Sequence, residues 1–222
     1  MKVISAEFVT SAAAGGSSAG VPHDGLPQIA LAGRSNVGKS TLINALSRRQ
    51  VARTSAAPGK TRLANVYRLT VEGGGPGRWD LYLVDLPGYG YARGGATAAE
   101  ELRAVAEAYF RGSGEMGTAT FSRSDTGEKV TVPISLLLVD SRHPGLDSDI
   151  QAHRWLRTFG VEPIVIAMKI DKLSRADRVR SLRELKRVFG TAALPISAER
   201  GEGLDELWTR VARTVRGTKE RR

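Results

Sequence analysis

Residues 33 to 40 read Gly33-Arg34-Ser35-Asn36-Val37-Gly38-Lys39-Ser40, the spacing G-x-x-x-x-G-K-[ST]. An apolar, strand-like segment, Gln28 to Ala32, leads into it, and a helix-like segment, Thr41 to Leu46, leads out. A strand, a glycine-bearing loop and a helix N-terminus in that order turn backbone amides and the positive end of the helix dipole toward one anion. Gly33 through Thr41 are therefore the expected phosphate contacts. Lys39 is expected to reach the β- and γ-phosphates, and the Ser40 hydroxyl to ligate a magnesium ion. The chemistry implied is binding of a nucleoside triphosphate.

Ligand groups in open parallel sheets gather at the carboxyl ends of strands, so the residues after each strand-like run carry weight. Asp85-Leu86-Pro87-Gly88 follows such a run, 46 residues beyond Lys39. Asp85 there can hold magnesium through a water, and the Gly88 amide can sense a γ-phosphate. The glycines of Gly88-Tyr-Gly-Tyr-Ala92 keep the next backbone pliable, as a switch segment needs. Met168-Lys169-Ile170-Asp171 follows the next buried strand but one. A carboxylate at Asp171 can accept two hydrogen bonds from the guanine edge, a donor pair that adenine lacks. Lys169 can lay its aliphatic stem along the base, and the loop at Ser197-Ala198-Glu199 can offer an amide to guanine O6. Pro58-Gly59-Lys60-Thr61 precedes another strand; Thr61 is the expected second protein ligand of magnesium, with Thr54 the alternative.

The elements that must position these residues alternate. Asn65 to Val71 and Trp79 to Val84 are expected as an antiparallel strand pair joined by the glycine-rich turn at 73–77. Ile134 to Val139, Pro163 to Met168 and Leu194 to Ile196 are strand-like. Ala98 to Phe110, Ser148 to Phe159, Arg175 to Phe189 and Leu204 to Val215 are helix-like. In the third of these helices Val179, Leu182, Leu185 and Phe189 are expected inward; in the last, Leu204, Leu207, Trp208 and Val211. This predicts an α/β P-loop NTPase fold, a mixed and mainly parallel sheet flanked by helices on both faces. The domain division expected is an N-terminal strand and flexible loop over 1–27 packed on a nucleotide-binding domain over 28–216, then a basic tail over 217–222. Within it, residues 111–133, rich in Gly, Ser and Thr with a hairpin-like stretch, form an insertion.

Absence of cysteine excludes disulfides and thiolate zinc sites, and three scattered histidines make no metal cluster. No apolar run nears the ~20 residues that span a bilayer, and no signal-peptide pattern opens the chain, so a soluble, cytoplasmic protein without membrane contact is expected. Of the net charge of +10, residues 174–189 contribute +4 and residues 209–222 contribute +5. The cations concerned include Arg175, Arg178, Arg183, Lys186, Arg187, Arg210, Arg213 and Arg216. They are read either as solvated helix faces or as a footprint for a polyanion, RNA above all. No long apolar face is left over for a tight dimer, so a monomer is expected.

Together Gly-Arg-Ser-Asn-Val-Gly-Lys-Ser, Pro-Gly-Lys-Thr, Asp-Leu-Pro-Gly-Tyr-Gly-Tyr-Ala and Leu138-Val-Asp-Ser-Arg-His143 resemble the EngB (YihA) type of ribosome-biogenesis GTPases, over Glu7 to Val215. The resemblance implies a Ras-like fold, magnesium-dependent hydrolysis of GTP to GDP, and a switch role in assembling the large ribosomal subunit and so in cell division. Its partners would be GTP, GDP, large-subunit precursors and ribosomal RNA. One position departs from the family's Thr-Lys-x-Asp: Met168 cannot hydrogen-bond back to the phosphate loop. The position after D-x-x-G, where many GTPases orient water with glutamine, is Tyr89. Asn36, by resemblance to GTPases with asparagine there, is a candidate potassium ligand supplying positive charge in place of an arginine finger; Arg34 and Lys60 are alternative donors. Lys39, Thr61, Gly88 and Asn36 make up the expected catalytic set. Two competing readings remain, a P-loop ATPase or kinase and a nucleotide-gated RNA-binding module.

Overall fold

The computed structural model describes residues 1–12, 20–22, 24–52, 63–74, 77–89, 103–111 and 134–219, with side chains as far as 215. Seven strands form one sheet: β1 (Lys2–Ala12), β2 (Gln28–Gly33), β3 (Ala64–Glu72), β4 (Arg78–Asp85), β5 (Ile134–Asp140), β6 (Ile164–Met168) and β7 (Leu194–Ile196). Their spatial order is β1-β3-β4-β2-β5-β6-β7. β4, β2, β5, β6 and β7 run parallel, and β3 and β1 add antiparallel. The helices are α1 (Lys39–Ser47), α2 (residues 103–111), α3 (Asp147–Arg157), α4 (Arg175–Phe189) and α5 (Leu204–Lys219).

The apolar runs of the parallel strands follow from burial on both faces. Along β5, Ile134, Leu136 and Leu138 point into one core with Leu42, Ile43 and Leu46 of α1 and Leu207, Trp208 and Val211 of α5. The intervening Leu137 and Val139 point into the other, with Tyr109 and Phe110 of α2, Leu156 of α3 and Leu185 and Phe189 of α4. Side chains alternate across a strand, so a strand between two helical layers has no polar face. The register then sets the site. Leu31 pairs Asp85, Gly33 pairs Leu138, Asp140 pairs Met168, and Met168 pairs Ile196. The carboxyl ends of β2, β4, β5, β6 and β7 therefore lie along one edge.

β1 runs through Ala12 and pairs with β3 along nearly its whole length, forming one edge of the sheet. Two expected positions differ. α5 runs to Lys219, past the expected start of the tail. Val179 is 48 % exposed, while Ser181, Leu185 and Phe189 hold the buried side of α4. The inward turn of that helix is taken by Arg178, whose Nε donates to Ile170 O at 2.9 Å, and the 100° step to the next residue carries Val179 outward. The 111–133 segment lies almost wholly outside the described residues, as do residues 13–19 of the expected N-terminal loop.

Leu138 is fully buried beside Gly33, beneath the turn that opens the site. Leu138→Ala is expected to lower stability by about 2–5 kcal/mol, through lost transfer energy and the cavity left behind, read as a lower urea midpoint.

Candidate nucleotide-binding site

Gly33 to Ser40 connect the end of β2 to the start of α1. Asn36 (φ 63°) and Gly38 (φ 112°) both take left-handed backbone, which curls the chain so that successive amides face one concavity. A Cβ on Gly33 would meet Val37 Cγ1 at 2.9 Å and Leu138 O at 3.0 Å, so the loop leaves the strand where only glycine fits. Val37 itself is buried in the core, as are Leu86 and Pro87. Their contribution to a ligand is limited to backbone.

Lys39 is 8 % exposed, and its Nζ donates to Gly33 O at 3.1 Å and to Arg34 O at 3.4 Å, a cation folded over the rim of its own loop. Burial pushes its pKa down, and nearby Asp85 partly restores it. Ser40 Oγ donates to Asp85 Oδ2 at 3.4 Å, while buried Asp85 Oδ1 has no hydrogen-bond partner among the described residues. Burial raises the Asp85 carboxyl to about 6 against the opposing pull of Lys39 and Ser40. An orphaned carboxylate oxygen beside a serine hydroxyl is a hard oxygen pair that fits magnesium. Gly88 stands opposite: a Cβ there would lie 2.9 Å from Ser35 N and Oγ and 3.0 Å from Lys39 Nζ. Ser35 N donates to Tyr89 O at 3.1 Å, tying the start of the expected switch segment to the loop.

Two residues behave differently from the sequence expectation. The Arg34 Nε lies 3.2 Å from Asp149 Oδ1 of α3, so its charge is engaged there rather than offered as an alternative donor. Tyr89 OH donates to the same oxygen at 3.0 Å, and burial, then Asp149, hold the phenol well above its ordinary value. Gly59, Lys60, Thr61 and Thr54 lie outside the described residues.

At the far end of the edge, Met168 is buried, and its Cε lies 3.3 Å from where a Cβ on Gly38 would stand. It packs under the phosphate loop instead of hydrogen-bonding to it. The polar link comes from Lys169, whose Nζ donates to Asn36 O at 2.7 Å and to Asp140 Oδ2 at 3.0 Å. Asp140 also accepts from the Arg142 guanidinium at 2.9 and 2.7 Å and from its backbone amide at 3.1 Å. Burial favours the neutral acid, but the bonds from Arg142 and Lys169 outweigh it and hold Asp140 well below the usual carboxylate range. Asp171 sits in the short 3₁₀ turn Ile170–Lys172. Burial would raise it, yet hydrogen bonds from Ser197 and Lys172 keep it lowered and ionised. Ser197, just past β7, bonds Asp171, and its N donates to Glu202 O at 3.0 Å, while the adjacent Ala198 packs against the core.

The basic residues divide. Arg175, Arg183, Lys186 and Arg213 are exposed and have no carboxylate partner among the described residues. Arg178 pairs with Glu202, Arg187 with Glu184 and Arg210 with Glu206. The Arg216 side chain lies outside the described residues.

The family profile described as "50S ribosome-binding GTPase" matches residues 28–169. The GTP-binding protein EngB of Pelotomaculum thermopropionicum is 40% identical over 97% of this chain and 98% of its own length. That of Solibacter usitatus is 38% identical over 97% and 98%. The chain belongs to the EngB family of GTPases. Among solved structures, Era of Aquifex aeolicus bound to GDP and aluminium fluoride superimposes with a TM-score of 0.65 at 21% identity, covering 86% of this chain. The chain spans 57% of that structure's length, and at this identity the likeness concerns the fold. An Era complex with MgGDPNP and nucleotides 1506–1542 of 16S ribosomal RNA gives a TM-score of 0.63 at 23% identity, over 87% of this chain and 58% of that one.

In this EngB-family chain Lys39, Ser40, Asp85, Gly88, Lys169, Asp171 and Ser197 all lie along this edge. Asp140, Arg142, Asp149 and the buried role of Tyr89 were not assigned beforehand. Asp140 and Arg142 stand in the string Leu138-Val-Asp-Ser-Arg-His143, whose position after a buried strand was the available signal. Asp149, in the first turn of α3, offered none. The lowered Asp140 carboxyl contributes stability that is complete above its unfolded value of about 4 and is lost as pH falls below it. Asp140→Asn is expected to flatten that acid-side slope in urea midpoints between about pH 2 and 5, and to cost about 1.5–3 kcal/mol at neutral pH.

Proposed function

We propose that this chain binds GTP and GDP along the carboxyl edge of the sheet and hydrolyses GTP as a molecular switch in large ribosomal subunit assembly, and hence in growth and division. The observation that carries the reading is the pairing of two ends on one edge. Buried Lys39 and Asp85 stand with half-buried Ser40 at one end, and ionised Asp171, braced by Ser197, stands at the other. A guanine nucleotide needs both, phosphate charge to be met by lysine and a base edge to be met by carboxylate.

In this reading Lys39 leaves the carbonyls of Gly33 and Arg34 for the β- and γ-phosphates, as the amides of 33–41 close around them. Ser40 would hold magnesium directly, Thr61 would be its second protein ligand and Asp85 would reach it through a water; the metal would supply charge against the anionic phosphates. The Gly88 amide meets the γ-phosphate, so Tyr89 and the residues after it respond to its loss. Lys169 flanks the base while its ammonium keeps Asn36 O in place. Asn36 would help to hold a potassium ion, which would supply positive charge beside the phosphates. The exposed cations Arg175, Arg183, Lys186 and Arg213 meet ribosomal RNA; Arg178, Arg187 and Arg210 have their charge engaged locally, and Arg216 extends the set beyond the described side chains. The G domain is assigned to 28–216, with the protein acting as a cytoplasmic monomer. Support for the ribosomal partner comes from the family's description as 50S ribosome-binding and from this charge. Among the described residues no helix is long and apolar enough to cross a membrane.

Calorimetric titration in magnesium buffer is expected to give GDP binding, no ADP binding, and at least a roughly tenfold weaker GDP affinity in Asp171→Asn, since two hydrogen bonds to a charged group are lost. Equal binding of GDP and ADP would return the chain to the ATPase reading. Single-turnover hydrolysis is expected to be faster in potassium than in sodium, and Asn36→Ala to remove the difference. Equal rates in the two salts would remove potassium from the mechanism.

A further inference from the structure

The loop that carries Asp171 has lost the side chain that would tether it to the phosphate loop, because Met168 packs apolarly under Gly38. Something else must hold it, since a carboxylate selects a base edge only when its own position is set to within a fraction of an ångström. Lys169 supplies one tether, to Asn36 O at 2.7 Å, and further bonds come from α4. The Arg178 Nε donates to Ile170 O at 2.9 Å, one residue before Asp171. Its Nη1 donates to Glu202 Oε1 at 2.6 Å. Glu202 in turn accepts Ser197 N through its backbone carbonyl at 3.0 Å, and Ser197 bonds Asp171. Three residues along the helix, Ser181 Oγ donates to Ser141 O at 2.6 Å, while Ser141 N and Oγ donate to Met168 O at 3.0 and 2.5 Å. One planar guanidinium therefore spans the two loops that face the base, one bond to each.

We infer that Arg178 is a positioning residue for guanine selection: it locks the 168–171 loop to the 197–202 loop, so that Asp171 and the Ser197 loop close on the base as one unit. Only arginine offers two donors in a fixed fork for this task. Its inward place on α4 is also the reason Val179 is exposed. The inference rests on the reading of Asp171 as the acceptor of the guanine N1–H and amino group.

The test compares GDP with inosine diphosphate, which lacks the amino group and so reports base reading with the phosphates unchanged. Full-length wild type, Asp171→Asn, Arg178→Met and Arg178→Lys are titrated with both, and each variant's urea melt is recorded. Arg178→Met is expected to lower the GDP-to-IDP affinity ratio by about tenfold, the effect of losing one charge-assisted bond. Arg178→Lys, able to satisfy only one of the two acceptors, is expected to fall between. A purely structural role would weaken both nucleotides by the same factor; an unchanged ratio in Arg178→Met, with Asp171→Asn lowering it, overturns the inference and leaves Asp171 in place. A ratio unchanged in Asp171→Asn removes the reading of Asp171 and the inference with it. Should Arg178→Met give no cooperative melt, the ratio in Arg178→Lys decides.

Discussion

Lys39 and Asp85 are both almost wholly buried, a lysine and a carboxylate taken out of water side by side at the end of the central parallel strands. Their desolvation disfavours both charged forms, which is why one pKa falls and the other rises. Such a pair is a poor source of stability on its own, because the mutual attraction offsets the desolvation cost only in part. It is held in place by the sheet: Leu31 of β2 is paired to Asp85 of β4, and Gly33 to Leu138 of β5. The apolar cores above and below supply the driving force, and the site is the place where that force is used to hold charge.

From this constraint the rest of the edge follows. The amides of the phosphate loop need left-handed backbone at Asn36 and Gly38, and a close approach by Gly88 that no larger residue allows. Once the loop is shaped in that way, its outer rim offers carbonyls. Those of Gly33 and Arg34 take Lys39, and that of Asn36 takes Lys169. Lys169 thus connects the 168–171 loop to the 33–40 loop, with Asp140 as counter-charge to it and to Arg142. The two ends are linked by charge as well as by register.

A second polar cluster lies behind the first. Arg34, Tyr89 and Asp149 join the phosphate loop, the residue after D-x-x-G and α3 through one carboxylate oxygen. It explains why a tyrosine stands where many GTPases carry glutamine: its hydroxyl is directed into the helical layer, away from solvent. Arg34 likewise serves the packing of the loop against α3.

Much of this was legible in the sequence because the relevant signals are local. Spacing alone singled out Gly33 to Ser40, Asp85 to Gly88 and Asp171, segments that the strand register brings to one edge of the sheet. Continuous apolar runs identified β2, β5 and β6, because burial on both faces leaves no alternation. Contacts between segments distant in sequence were not legible. Asp149 meets Tyr89 and Arg34 only when α3 packs on β5, and Arg178 turns inward only because Ile170 O lies within reach, displacing Val179 from the face that periodicity assigns to it. The length of β1 was equally hidden, for an edge strand with one partner carries a weak and partly polar pattern. The sequence by itself determined the ligand class and the order of the elements. The tertiary structure decided which charges neutralise one another, because that depends on through-space distances set by sheet register and helix packing.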